Sequence, residues 1–403
     1  MSKLSEGTGA FALLGVVVCV EAVLYLAVLG YARSTIIGGD GYQYLAIASN
    51  LAAGNGISID GISPTMLRTP GYPLFVAAVW ALAGHSLISL RIAQFLLLFF
   101  TGCILYSLAR IYFDHRTSVV SALIAVTYPP SVFLVVSQLS ETLATFLVVT
   151  SIWLVVKQRP IAAGCTLASL VMVRPEFVFL PFACLPFIYR QRRNAIGMIA
   201  VFVLALSPLV ARNLVGSRAL APLGLGTGMS LFASSEQYSG QLTYKFAIQD
   251  WEKFRDDFLR RSTNAGSGIE GEINVDRSYK SDAVQMFRSL PISHIILSVP
   301  IRILYLWGTG DLGPEWEHLF VKWEWLLLAV GALIGMMFTR SRWVDYWPFW
   351  ILCPYLTLLH LVFHVEGRYS MPARPLLFVF SSVAIFVFAR LGAKPANLAE
   401  EST

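Results

Sequence analysis

Gly38-Gly39-Asp40-Gly41-Tyr42-Gln43-Tyr44 and, further on, Arg68-Thr69-Pro70-Gly71-Tyr72-Pro73 make up the polar stretch on which the reading of this chain turns. They follow directly on the first long apolar segment, 11–31. They hold the first acid after Glu21, several glycines, and an arginine beside a rigid Pro-Gly-Tyr-Pro turn. A loop so rich in special backbone chemistry, hung from an apolar anchor, points to a site rather than a linker.

Composition sets the frame. The chain has 403 residues, 56% of them hydrophobic and 13% charged, against about 25% charged in soluble domains. Its mean hydropathy is +0.65. Crossing a ~30 Å hydrocarbon core takes roughly 20 apolar residues as helix, and several stretches approach that length. They are Leu- and Phe-rich and lack the alternation of a membrane barrel. An all-α polytopic membrane protein follows, because helix satisfies every backbone group within lipid. The net charge of +6 reflects Lys and Arg gathered in turns between spans, so no nucleic-acid partner is expected. The five cysteines, Cys19, Cys103, Cys165, Cys184 and Cys353, lie inside apolar segments with no CxxC spacing. They read as small core residues, not as a disulfide or zinc framework. The N-terminus carries Lys3 and Glu6 before an apolar run without a small-residue cleavage site, so a retained first span is expected.

Spans are expected at 11–31, 88–112, 119–136, 142–156, 161–173, 177–189, 195–210, 324–338, 347–363 and 376–388. The segments 70–84 and 291–307 are read as interfacial, the second because it carries His294, Pro300 and Arg302. Residues 40–53 form a short helix, with Asp40 as cap and Gly54 as stop. The basic turns at Arg116, Lys157/Arg159, Arg190/Arg192/Arg193, Arg340/Arg342 and Arg390/Lys394 are assigned to the cytoplasm. Ten crossings with both termini inside satisfy them all. Asp40, Arg68, Glu141, Arg174, Arg212, the 213–290 region and Arg368 then fall together on the opposite face. The expected divisions are a transmembrane module over 1–212 with its first outer loop at 32–69, an outer region over 213–290, and a C-terminal membrane part over 291–403. Within the outer region 251–261 has helical spacing, with Trp251, Phe254 and Phe258 on one face. Residues 264–271 read as a Gly/Ser-rich connection, and 276–290 as a second helix.

Each polar motif carries two readings. Asp40 is a general base or charge stabiliser at the membrane surface. Alternatively it is a helix cap, since Gln43 three residues on completes a capping box. Arg68 offers a planar fork for phosphate, or snorkels beside a proline-marked turn. Glu141 is a second acid, or satisfies a helix dipole after a Ser140 cap. Arg174-Pro175-Glu176 binds phosphate, or is an internal ion pair holding a turn. Arg212-Asn213 anchors the end of a span. Arg368-Tyr369 is a phosphate clamp, or an aromatic-and-basic interface anchor. His360 and His364 share one helix face near Glu366, but without an HExxH pattern no metal site is assigned. There is no GxxxxGK[ST] loop, GxSxG elbow or dinucleotide fingerprint.

In order along the chain stand Asp40, Tyr44, Ala48 and Asn50-Leu51-Ala52-Ala53-Gly54-Asn55-Gly56. Arg68-Thr69-Pro70-Gly71-Tyr72-Pro73-Leu74, Ser140-Glu141, Arg174-Pro175-Glu176 and Pro208…Arg212-Asn213 follow, then Glu272…Asp276-Arg277 and Arg368-Tyr369…Pro372. This string resembles the bacterial family 39-like glycosyltransferases of the GT-C fold, relatives of protein O-mannosyltransferases and lipid A aminoarabinose transferases. The resemblance implies a bundle of about 10 transmembrane helices with interfacial helices and outer loops, in the bacterial cytoplasmic (inner) membrane. It implies a polyprenyl-phosphate sugar donor, an acceptor on the extracytoplasmic face and inversion at the anomeric carbon. Asp40 matches the acid of the first outer loop, taken as catalytic base. Arg68, Arg174, Arg368 and Tyr369 become candidates for the donor phosphate. Glu141, Tyr44 and Glu176 become acceptor or second-acid candidates. No cofactor is implied by a motif, although a divalent cation is compatible with the chemistry. The chain departs from many relatives in having only a short tail after its last span. It also has Gly-Asp-Gly-Tyr where they carry a second charged residue after the Asp. Rival readings are a non-catalytic transporter or assembly partner for lipid-linked sugars, and a ligase of the same architecture using a diphosphate-linked glycan.

Overall fold

The computed structural model describes residues 2–29, 38–188, 192–217, 221–239, 248–308 and 318–392. Residues 30–37, Arg190 and Lys394 lie outside the described residues, as does the Trp251 side chain. The regular structure of the described residues is helical, with an isolated bridge between Ser58 and Pro64 and no strand.

Four described helices have the length and apolarity to cross a bilayer: Ser5–Tyr25, Leu87–Tyr112, Arg192–Gly216 and Arg374–Leu391. The expected crossing at 119–136 is two helices, His115–Thr127 and Pro129–Val136, bent by 46°. The cause is local. Asp114 starts the first helix by accepting from Thr117 N at 2.9 Å. Tyr128, preceding Pro129, is held extended at φ −62, ψ 115, because the proline ring disfavours helical geometry in the residue before it. A second pair, Gly268–Ser289 and Ile292–Trp307, turns through 112° around Pro291. If each bent pair is one span, the described residues hold up to six. The remaining apolar helices are shorter: Gly71–Ala83, Glu141–Val156, Pro160–Val173, Pro175–Ile188 and Trp323–Phe338. The expected span at 347–363 is divided into Trp347–Trp350 and Leu352–His360.

Two helix ends lie away from their expected positions. The helix Arg192–Ser217 continues past the expected span end at 210 and straight through Arg212-Asn213. Hydropathy marks where an apolar surface ends, while the hydrogen-bond ladder continues to the next breaker, here Gly216. The second outer helix begins at Gly268 rather than 276. The turn before it is made by Gly266 and Gly268 at φ +93 and +67.

Packing brings the functional ends together. Glu141–Val156 lies between Leu87–Tyr112 and Pro160–Val173, which in turn packs on Arg192–Ser217. Arg374–Gly392 packs on His318–Phe338 and His115–Thr127. Gly71 is where the Pro-Gly-Tyr-Pro turn touches the end of Pro160–Val173. A Cβ there would stand 2.5 Å from the Met172 carbonyl, so only glycine admits this approach. Thr69 Oγ1 secures it by donating to Val173 O at 3.1 Å. The start of Gly38–Ala52, the start of Glu141–Val156, the turn after Pro160–Val173 and the turn before Arg374–Gly392 therefore converge.

Candidate active site

Asp40 sits in the first turn of the helix Gly38–Ala52. The capping-box expectation is not met, because the helix starts two residues earlier and both carboxylate oxygens are engaged by arginines. Oδ1 accepts from Arg68 Nη2, and Oδ2 from Arg368 Nη2 at 3.1 Å. Gln43, one turn on and on the same face, accepts from Arg68 Nε at 2.6 Å. The Asp-x-x-Gln spacing thus forms a two-pronged seat for Arg68. The loop between them is built to hold that seat. Gly54, at φ +81, ends the helix. Asn50 Nδ2 donates to Ser58 O at 3.0 Å. Glu272 accepts from Thr65 Oγ1 at 2.6 Å and Met66 N at 2.8 Å, and Arg212 Nη2 donates to Thr65 O at 2.9 Å.

Glu141 is the first residue of its helix, and its side chain is only 2% exposed. Ser140 provides no side-chain cap. The carboxylate instead pairs with Arg174 Nη1 at 3.0 Å and Arg368 Nη1 at 3.5 Å. Arg174 is extended at φ −141, ψ 101, because Pro175 follows it. Its Nε donates to Glu176 Oε1 at 2.5 Å. Arg368 lies in the short turn Gly367–Ser370 and reaches three carboxylates: Asp40, Glu141 and, through Nε, Glu366. The Tyr369 ring lies beside both cations, 5.3 Å from the Arg174 guanidinium and 5.5 Å from that of Arg368. Its hydroxyl donates to Glu366 Oε1 at 3.3 Å. Tyr44 lies under Arg68, 5.7 Å from ring to guanidinium, and meets Tyr72 edge-on.

These groups line one cavity of about 480 Å³. All eight residues proposed from sequence border it: Asp40, Tyr44, Arg68, Glu141, Arg174, Glu176, Arg368 and Tyr369. Arg212 does not, and serves the loop behind it. Three lining groups had no assigned role, namely Glu366, His360 and His364. Their signal was their place next to Arg368-Tyr369. No motif marked the segment 223–230, which forms another wall. Asp276 holds that segment by accepting from Gly226 N and Gly228 N, both at 2.9 Å. Nor did any motif single out Arg302, which is 2% exposed. It donates to Gln237 Oε1, Ser234 Oγ, His360 O and Phe363 O, and so fixes the chain that leads to Glu366.

The electrostatics follow from burial and pairing. Burial alone would raise the Asp40 pKa, but Arg68, Arg368 and Arg174 outweigh it and hold the carboxyl at about 2. Burial also opposes ionisation of Glu366, and Arg368 and His364 again win, keeping it below its usual range. Burial would lower Arg68, and Asp40 reverses that. Among the described residues no three His, Cys, Asp or Glu side chains are placed to hold a metal ion.

Against known proteins, a family model described as dolichyl-phosphate-mannose-protein mannosyltransferase matches residues 67–214. That interval includes Arg68, Glu141, Arg174 and Glu176. No curated protein sequence matches the chain. Among solved structures, the apo oligosaccharyltransferase of Archaeoglobus fulgidus superposes with a TM-score of 0.55 at 14% identity, over 94% of this chain and 51% of that one. AglB from the same organism, in complex with an inhibitory peptide and a dolichol-phosphate, gives 0.54 at 12% identity, over 94% and 50%. ArnT from Cupriavidus metallidurans bound to undecaprenyl phosphate gives 0.43 at 11% identity, over 95% and 79%, too loose a superposition to carry weight. The chain thus spans about half the length of the oligosaccharyltransferase structures that it matches. At such identities a likeness speaks for the fold alone, and with the helical bundle it makes this chain a polytopic membrane protein of the GT-C glycosyltransferase fold.

Proposed function

We propose that the chain is an inverting glycosyltransferase that moves one sugar from a polyprenyl-phosphate donor to an acceptor on the extracytoplasmic face of a bacterial cytoplasmic membrane. The acceptor is a hydroxyl of a lipid, polysaccharide or protein. The observation that carries this reading is the convergence of Asp40 with Arg68, Arg174 and Arg368 in a single cavity on a GT-C fold. The leaving group is a lipid phosphate, and its developing charge requires preorganised cations. Arg68 and Arg368 are placed for this, with Arg174 behind them. The acceptor hydroxyl must lose a proton to a carboxylate within hydrogen-bond reach, and Asp40 is that base. While both arginines hold it, Asp40 is a weak base. A phosphate that draws them off restores its basicity at the moment the donor is in place. Glu141 and Glu176 keep Arg174 charged and oriented, and Tyr44 floors the site under Arg68.

Mass spectrometry of lipid co-purifying with the full chain, followed by incubation of that lipid with membrane extracts, tests the reading. A polyprenyl phosphate bearing one sugar, consumed with release of polyprenyl phosphate, is expected. A diphosphate-linked glycan would instead identify a ligase. A bound lipid-linked sugar that is never consumed would favour transport or assembly.

A further inference from the structure

The cavity is lined by four carboxylates, Asp40, Glu141, Glu176 and Glu366, and three guanidiniums, Arg68, Arg174 and Arg368. The lining therefore carries one negative charge in excess before any ligand enters. Each of the three arginines is already paired. Arg68 holds Asp40, Arg174 holds Glu141 and Glu176, and Arg368 holds Asp40, Glu141 and Glu366. An anionic headgroup must take a guanidinium from a carboxylate that stays behind, and a buried carboxylate stripped of its partner is strongly disfavoured. The imbalance must be met by a cation or a proton.

One pair in the cavity is suited to the proton. His364 Nδ1 lies 3.6 Å from Glu366 Oε1, and both side chains are largely buried, 14% and 12% exposed. The groups that act on this pair are Arg368, Tyr369 and Asp40, with Arg302 behind His364. Burial keeps His364 below its usual pKa, Arg302 and Arg368 add to that, and Glu366 and Asp40 oppose it. Withdrawing Arg368 from Glu366 removes a cation from the pair and exposes the imidazole to an unneutralised carboxylate. Both changes favour a protonated imidazole. His360 is engaged differently, since its Nδ1 bonds to His364 O at 2.8 Å.

We infer that the His364–Glu366 pair is the proton acceptor of the donor site: capture of a singly charged phosphodiester headgroup draws Arg368 from Glu366, and the pair takes up one proton from solvent. This rests on the donor reading above and adds a linkage to it. Bound protein then carries about one more proton than free protein, so binding weakens up to about tenfold per pH unit where free His364 is neutral.

The test is titration calorimetry of the full chain in detergent with the methyl diester of a short prenyl phosphate, a probe with one fixed negative charge across this range. Measurements at one pH near neutral, in buffers of differing ionisation enthalpy, count protons. Wild type is expected to take up about one. His364→Gln should bind with uptake near zero and a flat pH profile. Glu366→Gln, which releases Arg368 in advance, should bind more tightly and also without uptake, a gain that mere structural damage does not produce. Wild-type binding without proton uptake, or uptake retained in both variants, overturns the inference and leaves the donor reading standing. So does binding that needs added Mg²⁺ and takes up no proton. No binding of the diester at all overturns the donor reading and the inference together.

Discussion

Replacing Asp40 by Asn separates the chemical role of this carboxylate from its structural one. The neighbours are well supported without it. Arg68 keeps its 2.6 Å bond to Gln43. Arg368 keeps Glu366 and Glu141, the latter at 3.5 Å. The substitution also removes the single negative charge by which the cavity's carboxylates outnumber its guanidiniums. Donor affinity should therefore hold or improve. Turnover should not, because a general base contributes about 10²- to 10⁴-fold, equivalent to roughly 3–5 kcal/mol of barrier. The assay is single-turnover release of polyprenyl phosphate from a labelled polyprenyl-phosphate sugar by purified protein, alongside steady-state runs that resolve kcat and KM. The expected result is kcat down by that factor with donor KM unchanged or lower. A kcat within about threefold of wild type, far short of the loss expected for a general base, would refute the assignment of Asp40 as base. A rise in donor KM with kcat preserved would mean that Asp40 serves binding only.

Three further outcomes are expected. Glu141→Ala removes a 2%-exposed carboxylate shared by Arg174 and Arg368, and breaking a buried pair costs about 3–5 kcal/mol. A melting temperature in detergent that does not fall would contradict the proposed network. Gly71→Ala places a Cβ 2.5 Å from the Met172 backbone, with an overpacking cost of about 1–3 kcal/mol. Turnover should fall with it as the 70–73 turn parts from Arg174, whereas wild-type stability and rate would show that the approach is not required. Because the folded-state pKa of Asp40 is depressed to about 2, its contribution is present above the unfolded pKa near 4 and is lost as pH falls through about 2. That loss is about 2 kcal/mol. Thermal unfolding at about pH 5 and about pH 2.5, on either side of the unfolded pKa, should show it in wild type and show less of it in Asp40→Asn.

Much of the site was legible in the sequence because its parts are unusual where they stand. Charged residues at the ends of apolar runs are costly in lipid, so Arg68, Glu141, Arg174 and Arg368 draw attention by position alone. The basic turns then place them on one face. Their roles within the network were not legible. Asp40-x-x-Gln43 has the spacing of a capping box, and local pattern cannot tell a helix that begins at Gly38 from one that begins after Asp40. The choice was made by Arg68, a residue far along the chain.

The sequence by itself determined an all-helical membrane protein, the approximate position of most of its helices, and a set of eight residues that border one cavity. These depend on composition and short-range periodicity, which each segment carries alone. Only the tertiary structure decided which arginine meets which carboxylate, that Arg302 is buried behind the site, and that Pro129 bends one expected span. It also decided that Glu366 and His364 face each other beside Arg368. Such pairings join segments distant in the chain, and their energies depend on burial and on separations of a few ångströms that no local pattern encodes.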